Sequence, residues 1–416
     1  MKVLTVAERP AKDQCASPSL ARHLTARLRD HYGEAPLHEV TTGCIEDSLQ
    51  PPGQGRDFRQ LWALLERNLR FASTALSELW SAPGTPDLVM AMPPGVIGGL
   101  PAAYVARKRG ALSWLHLERL ETEIAFRLLD QSRHSKPGAI AHLLRRSWAN
   151  LENRAFRHFQ AISVPSEQMR RRLIARGVPP EHVCVVPYWE DAMPRPANRA
   201  AMRQEFGILA HVTAAVYAGP LTRCYALDVV VEAAHVLRQR SDIQVVIGGD
   251  GPEFPRLHRL TRNLTNVRLL ALTSDLQREL RAAADIHLLA VHQTLGEAFV
   301  PPHLPSILAS DAPVVMAAPP KAAFYQELSE HAVVVSIHQP PLMGQAVADL
   351  AAAPAEAERL NRAAVSWARQ HWTKDAVLSR WELEMLIRRA ASLPRGPMEP
   401  EAAAVPAPMA QTVRKE

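Results

Sequence analysis

Several loop residues in this sequence suit contact with an anionic ligand. Arg223 follows an apolar, β-rich run, and its planar fork of N–H donors matches the oxygens of a phosphate group. Gly249, Asp250 and Gly251 follow a second such run and precede a helical pattern. Glycines at this point let the backbone approach a ligand closely, although Asp250 is equally placed to cap a helix beginning at Pro252. These residues predict a phosphate-binding site built on loops, and the capping interpretation stays open.

Two histidines occupy positions from which a ring nitrogen can reach a polar ligand. His116 lies near the end of the apolar run Leu112–Leu117 and is followed by Glu118 and Arg119. His303 lies between prolines at the start of a helical pattern, where it could give a phosphate a hydrogen bond or, when protonated, a charge. Both positions are also common for histidines with a purely structural role.

The elements that would position these residues alternate between β-rich runs and helical patterns. This alternation is typical of parallel sheets with crossover helices, so the predicted fold class is α/β. Ligands of such domains bind beyond the carboxyl ends of the strands, which places the chemistry on the loops that follow strands. The predicted strands are Val3–Val6, Asp87–Met92, Leu112–Leu117, Ala161–Val164, Val183–Pro187, Thr213–Ala218, Gln244–Gly248, Val267–Leu272, Ile286–Val291, Pro313–Ala317 and Val333–Ile337.

The chain divides into two domains of similar kind. We expect a first Rossmann-like domain over 1–190, a polar, proline-punctuated linker, and a second Rossmann-like domain over 200–371. A closing helix is expected over 372–391 and a disordered tail over 392–416. The G-x-G-x-x-G and G-x-x-x-x-G-K-[ST] patterns are both absent, which speaks against a nicotinamide dehydrogenase and a P-loop kinase.

Composition favours a protein of the cytoplasm. The 416 residues are 47% hydrophobic and 22% charged, enough for two cores, and no apolar run reaches the roughly 20 residues of a membrane span. No apolar signal region follows the N-terminus. The four cysteines lack metal-ligand spacing, so we expect neither zinc nor disulfides; they are Cys15, Cys44, Cys184 and Cys224.

Positive charge is concentrated in one segment. The chain carries a net charge of +6, and the segment 131–176 holds nine arginines and one lysine against two glutamates. Within it, helical spacing places Leu144, Trp148, Leu151, Ala155 and Phe159 on one stripe. We therefore expect Leu143–Arg176 to contact an anionic membrane surface, unless the stripe packs into the core. The segment has no recognisable nucleic-acid-binding motif, so nucleic acid is not an expected partner.

Several motifs, in this order, resemble a known enzyme family. They are WLHLERLETEIAF from Trp114, AISVPSEQM from Ala161, GVPPEHVCVVPYW from Gly177, VYAGPLTRCYALDVVVEAA from Val216, VVIGGDGPE from Val245 and GEAFVPPHLPSILA from Gly296. The succession resembles retaining family-four glycosyltransferases, which have the GT-B fold of two facing Rossmann-like domains. The branch it is most similar to is that of bacterial exopolysaccharide and O-antigen transferases related to colanic-acid and fucosamine transferases.

The resemblance implies roles in the second domain. The loop opened by Gly219 would bind the donor's diphosphate through an Arg/Lys pair, of which this chain has Arg223 but Cys224 in place of the lysine. Glu297 matches the first carboxylate of a Glu-x7-Glu signature that contacts the transferred sugar, and Pro305 stands where the second glutamate is expected.

The following helix start departs further from the family pattern. A Ser-Lys pair of the branch is replaced by Pro302 and His303, while the amide of Leu304 is expected to point out of the helix N-terminus. In the first domain, His116 matches a histidine that approaches the sugar from the acceptor side.

The implied activity is metal-independent, retaining sugar transfer without a cofactor. A nucleotide-sugar would be the donor and a glycan or lipid-linked molecule the acceptor, in a cytoplasmic enzyme that is peripheral at the inner membrane. The replaced residues leave open a second interpretation, a catalytically impaired homologue acting as a scaffold or regulatory partner. A sugar epimerase on the same fold is a more distant alternative.

Overall fold

The protein contains two parallel β-sheets, each flanked by helices. The computed structural model describes residues 2–10, 17–32, 37–42, 56–131, 139–189, 198–322 and 324–392. Two six-stranded sheets are present in this part of the chain, and all of their strand pairs are parallel. The α/β prediction is therefore confirmed. The tail predicted to be disordered lies almost entirely outside the described residues.

The first sheet has the strand order β2-β1-β3-β4-β5-β6. Its strands are β1 (Val3–Pro10), β2 (Leu37–Thr42), β3 (Leu88–Met92), β4 (Leu112–His116), β5 (Ala161–Val164) and β6 (Val183–Val185). The helices of this part are α1 (Ser17–Tyr32), α2 (Arg56–Ser81), α3 (Leu100–Arg109), α4 (Glu121–Gln131), α5 (Ala139–Phe156) and α6 (Glu167–Ala175), with a 3₁₀ turn at Pro180–His182.

The second sheet has the order β12-β11-β10-β7-β8-β9. Its strands are β7 (Thr213–Ala218), β8 (Ile243–Gly249), β9 (Val267–Ala271), β10 (Ile286–Ala290), β11 (Val314–Ala318) and β12 (Val333–Ser336). The helices are α7 (Arg199–Glu205), α8 (Leu227–Val236), α9 (Phe254–Thr261), α10 (Ser274–Ala282), α11 (Leu304–Leu308), α12 (Tyr325–Leu328), α13 (Pro341–Ala352), α14 (Pro354–His371) and α15 (Lys374–Ser392).

Strand β4 shows how both faces of the first sheet are covered. All five of its residues are buried, as expected for a parallel strand with helices on both sides. Because successive side chains point to opposite faces, Trp114 belongs to the buried cluster that contains Leu28 of α1, while Leu115 belongs to the cluster that contains Phe71 of α2. His116 closes the strand at its carboxyl end, the edge at which ligands of such sheets bind.

The last helix, α15, returns from the second domain to the first. The indole of Trp381 is fully buried and lies 5.6 Å from that of Trp114, between ring centroids. At the end of α15, Arg389 donates to the Asp87 carboxylate over 2.8 Å. The predicted closing helix therefore ties the two halves of the chain together.

Helix α7, which leads into the second domain, is held by a shared carboxylate. Asp285 accepts hydrogen bonds from Arg199 and Arg203, each over 2.6 Å, and from the amide of Ala214 over 2.8 Å. Burial raises the pKa of Asp285, but these three donors outweigh burial and hold the pKa below its usual value. Arg203 also donates to the carbonyl of Val212 over 2.6 Å.

We expect Arg203→Ala to destabilise the second domain by about 2–4 kcal/mol, because it removes a partly buried ion pair and leaves the buried carbonyl of Val212 without its donor. Arg199→Ala is the matched control, since its side chain is 34% exposed against 9% for Arg203. Thermal and urea unfolding should show a clearly larger loss for Arg203→Ala. Equal losses for the two variants would contradict the assignment.

Candidate functional site

The loop after β7 carries the predicted phosphate-binding arginine. Arg223 is half-buried, and no ion pair or hydrogen bond of its guanidinium is present within the described part of the chain. Burial lowers the pKa of His292, and the nearby charge of Arg223 lowers it further. The loop is fixed to the end of β10, because the amide of His292 donates to the carbonyl of Cys224 over 3.0 Å. Arg223 is thus held at the carboxyl edge of the sheet, and no carboxylate in the described part of the chain pairs with it.

The Gly249-Asp250-Gly251 turn packs directly against the loop that carries Arg223. A Cβ on Gly249 would lie 1.9 Å from the carbonyl oxygen of Gly219, and a Cβ on Gly251 would lie 2.4 Å from that of Leu221. Gly251 also has a φ of +149°, a conformation that L side chains rarely adopt. The amide of Leu221 donates to the carbonyl of Asp250 over 2.8 Å. The glycines therefore let two backbones meet.

Asp250 does not cap the following helix. Helix α9 begins at Phe254, with Glu253 at its N-cap position, so the capping interpretation is wrong. Asp250 is instead exposed in the turn that borders the Gly219 loop.

His303 lies directly against the first loop. The Cε1 and Nε2 atoms of its ring are 3.1 and 3.2 Å from the position of a Cβ on Gly219. Its ring centroid is 5.5 Å from that of Tyr225. Burial, and then the charge of Arg281, lower the pKa of His303 to about 3. The ring of His303 is therefore neutral at neutral pH, so it offers a ligand a hydrogen bond and not a charge.

The amide of Leu304 has a partner inside the protein. It donates to the carbonyl of Pro301 over 3.0 Å, because residues 301–304 form a tight turn before the short helix α11. Leu304 is the first residue of α11, as predicted, and the hydrogen bond of its amide is made within the protein.

Glu297 lies where the two domains touch. One of its carboxylate oxygens is 3.5 Å from Nη2 of Arg127 on α4, which also pairs with Glu123. The other terminal nitrogen of Arg127 donates to the carbonyl of Thr294 over 2.5 Å. The amide of Leu120 donates to the carbonyl of Ala298 over 3.3 Å. The motifs did not predict Arg127 at this site. The available sequence signal was Glu123, which lies four positions before Arg127, a spacing typical of an ion pair on a helix.

His116 is held inside the first domain. It is 2% exposed, and its Nδ1 is 2.8 Å from Oγ of Ser163. Its Nε2 is buried and has no hydrogen-bond partner among the described residues. Burial lowers the pKa of His116 to about 3, so the ring is neutral. The neighbouring Arg119 pairs with Glu121 over 3.2 Å.

The structure thus groups the predicted residues into three sets. Gly219, Gly249, Gly251 and His303 pack around the loop that carries Arg223. Glu297 is joined to the first domain through Arg127. His116 makes its hydrogen bond within its own sheet.

The stripe predicted for the basic segment is only partly exposed. Ala155 and Phe159 are buried, and half-buried Trp148 lies with its Nε1 3.3 Å from the hydroxyl of Thr122. Leu151, in contrast, is exposed. A single exposed stripe is therefore the wrong description, because the end of α5 and the turn after it pack into the core. The side chain of Leu144 lies outside the described residues.

The arginines that follow are paired with carboxylates. Arg170 and Arg171 pair with Glu167, Arg172 pairs with Glu123, and Arg176 pairs with Glu152 over 2.7 Å. Their charge is therefore largely compensated within the fold. No described helix is both long and apolar enough to span a bilayer.

Comparisons with known proteins agree with this architecture. Residues 19–189 match the glycosyl transferase 4-like domain family. Over 265 residues the chain is 25% identical to WcaI of Escherichia coli (strain K12), which carries the name of a colanic acid biosynthesis glycosyl transferase. That alignment covers 61% of this chain and 64% of WcaI, less than two thirds of the relative's length.

Solved structures share the fold across nearly the whole chain. Alr3699/HepE from Anabaena, in complex with UDP-glucose, has a TM-score of 0.64 and 14% identity over 93% of this chain and 100% of that one. Sucrose-phosphate synthase (tll1590) from Thermosynechococcus elongatus has a TM-score of 0.69 and 14% identity over 94% and 100%. The chain thus joins a glycosyl transferase 4-like first domain to the second Rossmann-like domain of a GT-B fold, and it is related to the exopolysaccharide branch of glycosyltransferases.

Proposed function

We propose that this protein transfers a sugar from a nucleotide-sugar to a lipid-linked or polysaccharide acceptor in the synthesis of a bacterial surface glycan. The observation that carries the proposal is Arg223, a cation that has no carboxylate partner among the described residues and lies at the carboxyl edge of the second sheet. A structure with the same fold, Alr3699/HepE, contains UDP-glucose. A nucleoside diphosphate is the anion that such an edge suits best.

The reaction places its main electrostatic demand on the leaving group. When the bond between the anomeric carbon and the diphosphate oxygen breaks, negative charge grows on that oxygen. Arg223 stabilises this charge, and neutral His303 donates a hydrogen bond beside it. The acceptor oxygen forms the new bond from the same face, and its proton passes to the leaving phosphate. The configuration at the anomeric carbon is retained without a protein nucleophile.

Glu297 and His116 contact the sugar from the two sides of the cleft in this proposal. Glu297 accepts hydrogen bonds from sugar hydroxyls, and its contact with Arg127 holds the carboxylate in place. In this proposal the positive charge that stabilises the leaving group comes from Arg223, so we expect transfer to continue in the presence of EDTA.

A catalytically impaired homologue remains the competing proposal, because the site lacks family residues. Cys224 is buried and cannot replace a lysine as a cation, and Pro305 offers no carboxylate. Binding of a nucleotide-sugar without transfer or hydrolysis would favour a scaffold or regulatory role.

Nucleoside diphosphates should raise the melting temperature of the protein, because a ligand that binds only the folded state stabilises it. UDP and GDP are the first probes. Arg223→Ala should weaken binding by about 1–3 kcal/mol, the range for a hydrogen bond to a charged group. Arg240→Ala is the control, since Arg240 is an exposed arginine that pairs with Asp242. If Arg223→Ala binds as tightly as the control, Arg223 is not part of the site.

Glu297→Gln should lower kcat while leaving the affinity for the nucleoside diphosphate nearly unchanged, because the lost charge faces the sugar. Turnover of a panel of UDP- and GDP-sugars, measured by release of the nucleotide, checks this. The control is Glu205→Gln, at the exposed end of α7. Wild-type turnover in Glu297→Gln would overturn its assignment.

We further propose that the first domain rests on the anionic, cytoplasmic face of the inner membrane. In the segment Leu143–Arg176, the contact is restricted to exposed residues of α5 and the turn after it. These are Leu143, Arg146, Leu151, Arg154 and Arg157.

A second surface that the sequence analysis did not single out supports this contact. On α2, Trp62, Leu69, Leu76 and Trp80 are between 41% and 58% exposed. Their spacing places them within about 40° of one another around the helix. Tyr104 of α3 stacks on Trp80 with ring centroids 6.2 Å apart. We name these five residues the α2 ridge.

The chemistry of the α2 ridge suits a lipid headgroup region. Trp and Tyr rings favour that depth, and cations beside them meet lipid phosphates. The ammonium of Lys108 lies 5.8 Å from the centroid of the Tyr104 ring, and Arg107 is exposed next to it. Five half-exposed side chains offer about 500 Å², less than the roughly 800 Å² per partner of a stable protein interface. A membrane surface therefore fits the ridge better than a second protein.

Vesicle co-sedimentation tests both surfaces. Wild type should bind phosphatidylcholine vesicles containing phosphatidylglycerol, and Trp62→Ser/Trp80→Ser should reduce binding at least about tenfold, because two large apolar groups lose their burial. The variant Arg146→Ser/Arg154→Ser/Arg157→Ser should lose only the salt-sensitive part of the vesicle binding.

The matched control is Leu383→Ser/Ile387→Ser on α15, which changes two side chains of similar exposure on the other face of the first sheet. A wild type that ignores anionic vesicles at low salt contradicts the membrane contact. If the wild type is a dimer and Trp62→Ser/Trp80→Ser dissociates it, the α2 ridge is instead the contact surface for a second copy of the chain.

A further inference from the structure

Ser163 occupies a special place beside His116. The two residues are direct partners in the ladder between β4 and β5, and both are buried. The Ser163 hydroxyl accepts a hydrogen bond from Nε1 of Trp114 over 2.8 Å and lies 2.8 Å from Nδ1 of His116. Ser163 therefore joins an indole to an imidazole.

The hydrogen-bond inventory sets the direction of the second bond. An indole N–H only donates, so the Trp114 contact uses a lone pair of the Ser163 oxygen and leaves its hydrogen available. In the described part of the chain, the one acceptor that this hydrogen reaches is Nδ1 of His116. A buried hydroxyl hydrogen without an acceptor is costly, so the hydroxyl donates to Nδ1. The imidazole proton then lies on Nε2.

This arrangement gives His116 a defined chemical role. Because burial keeps the ring neutral, it has one N–H and one lone pair, and the tautomer decides which of them each nitrogen presents. Nδ1 is occupied by Ser163, while buried Nε2 has no partner among the described residues. The ring is thus prepared to donate one hydrogen bond from Nε2.

The indole of Trp114, at the other end of these hydrogen bonds, is held by residues from outside the first domain. Its ring centroid lies 5.6 Å from that of Trp381, and the guanidinium of Arg388 lies 5.8 Å from it. Both residues belong to α15, the helix that follows the second domain.

We infer that Ser163 is a positioning residue that holds His116 in the Nε2–H tautomer, so that Nε2 donates to an oxygen of the bound sugar. The contact with the sugar rests on the transfer reaction proposed above, whereas the tautomer is a property of the protein alone. The two parts are therefore measured separately.

The tautomer is measured on full-length protein labelled with ¹⁵N-histidine, by two-bond ¹H–¹⁵N correlation. Loss of a signal in His116→Gln identifies the ring. We expect wild type to show a protonated Nε2 and an unprotonated Nδ1, and Ser163→Ala to show a mixture or the opposite tautomer. Trp114→Phe, which removes the indole N–H and keeps a smaller aromatic ring, should keep the wild-type pattern. If Ser163 had only a structural role, Ser163→Ala and Trp114→Phe would change the histidine spectrum in the same way.

The activity measurement follows from the same reasoning. Ser163→Ala should lower kcat/KM for transfer about 5–10-fold, the effect of one neutral hydrogen bond, without changing the affinity for UDP. If Ser163→Ala does not fold, Ser163→Cys keeps the size of the side chain and weakens the donor, so it serves as the second variant.

Two results would overturn the inference: a wild type with the proton on Nδ1, or a Ser163 variant with an unchanged tautomer. If the wild type transfers no sugar from any donor, the proposed function fails, and the spectrum still decides the role of Ser163.

Discussion

The binding edge of the second domain depends on the close approach of two backbones. The carbonyl oxygen of Gly219 lies where a side chain on Gly249 would begin, and Gly251 makes a similar contact with Leu221. This packing fixes the loop that carries Arg223. The ring of His303, from the turn before α11, lies against Gly219 of the same loop. The position of Arg223 is therefore set by backbone contacts, and any side chain at Gly249 or Gly251 would clash with the neighbouring backbone.

Burial gives the two site histidines the same protonation state by the same physical cause. Removing an imidazolium from water is unfavourable, so the pKa values of His116 and His303 both fall to about 3. Both rings are therefore neutral at physiological pH. In the proposed reaction, the charge that stabilises the diphosphate then comes from Arg223, since Cys224 places a buried thiol where the lysine is expected.

The two domains are joined at the cleft and behind it. At the cleft, Arg127 of the first domain contacts both Glu297 and the carbonyl of Thr294 in the second. Behind it, α15 packs Trp381 against Trp114, whose indole N–H reaches Ser163. Glu297, and Trp114 with its partner Ser163, are thus held partly by the other half of the chain, so their geometry depends on how the domains meet.

The sequence alone determined the α/β class, the second sheet, the loops that carry Arg223 and Glu297, and the strand that ends at His116, because apolar runs and turn residues are local signals. It missed β2 (Leu37–Thr42), because the polar residues His38 and Glu39 interrupt its apolar residues; β2 is an edge strand, where no continuous apolar run is needed.

Only the tertiary structure decided which distant residues meet. Glu297 meets Arg127 and His116 meets Ser163 across 170 and 47 positions. The same packing buried Phe159, left Leu151 in solvent and paired Arg172 with Glu123. Periodicity shows that a helix has an apolar face, but how far neighbouring elements cover that face, and which charges they neutralise, depends on chain crossings that no local pattern contains.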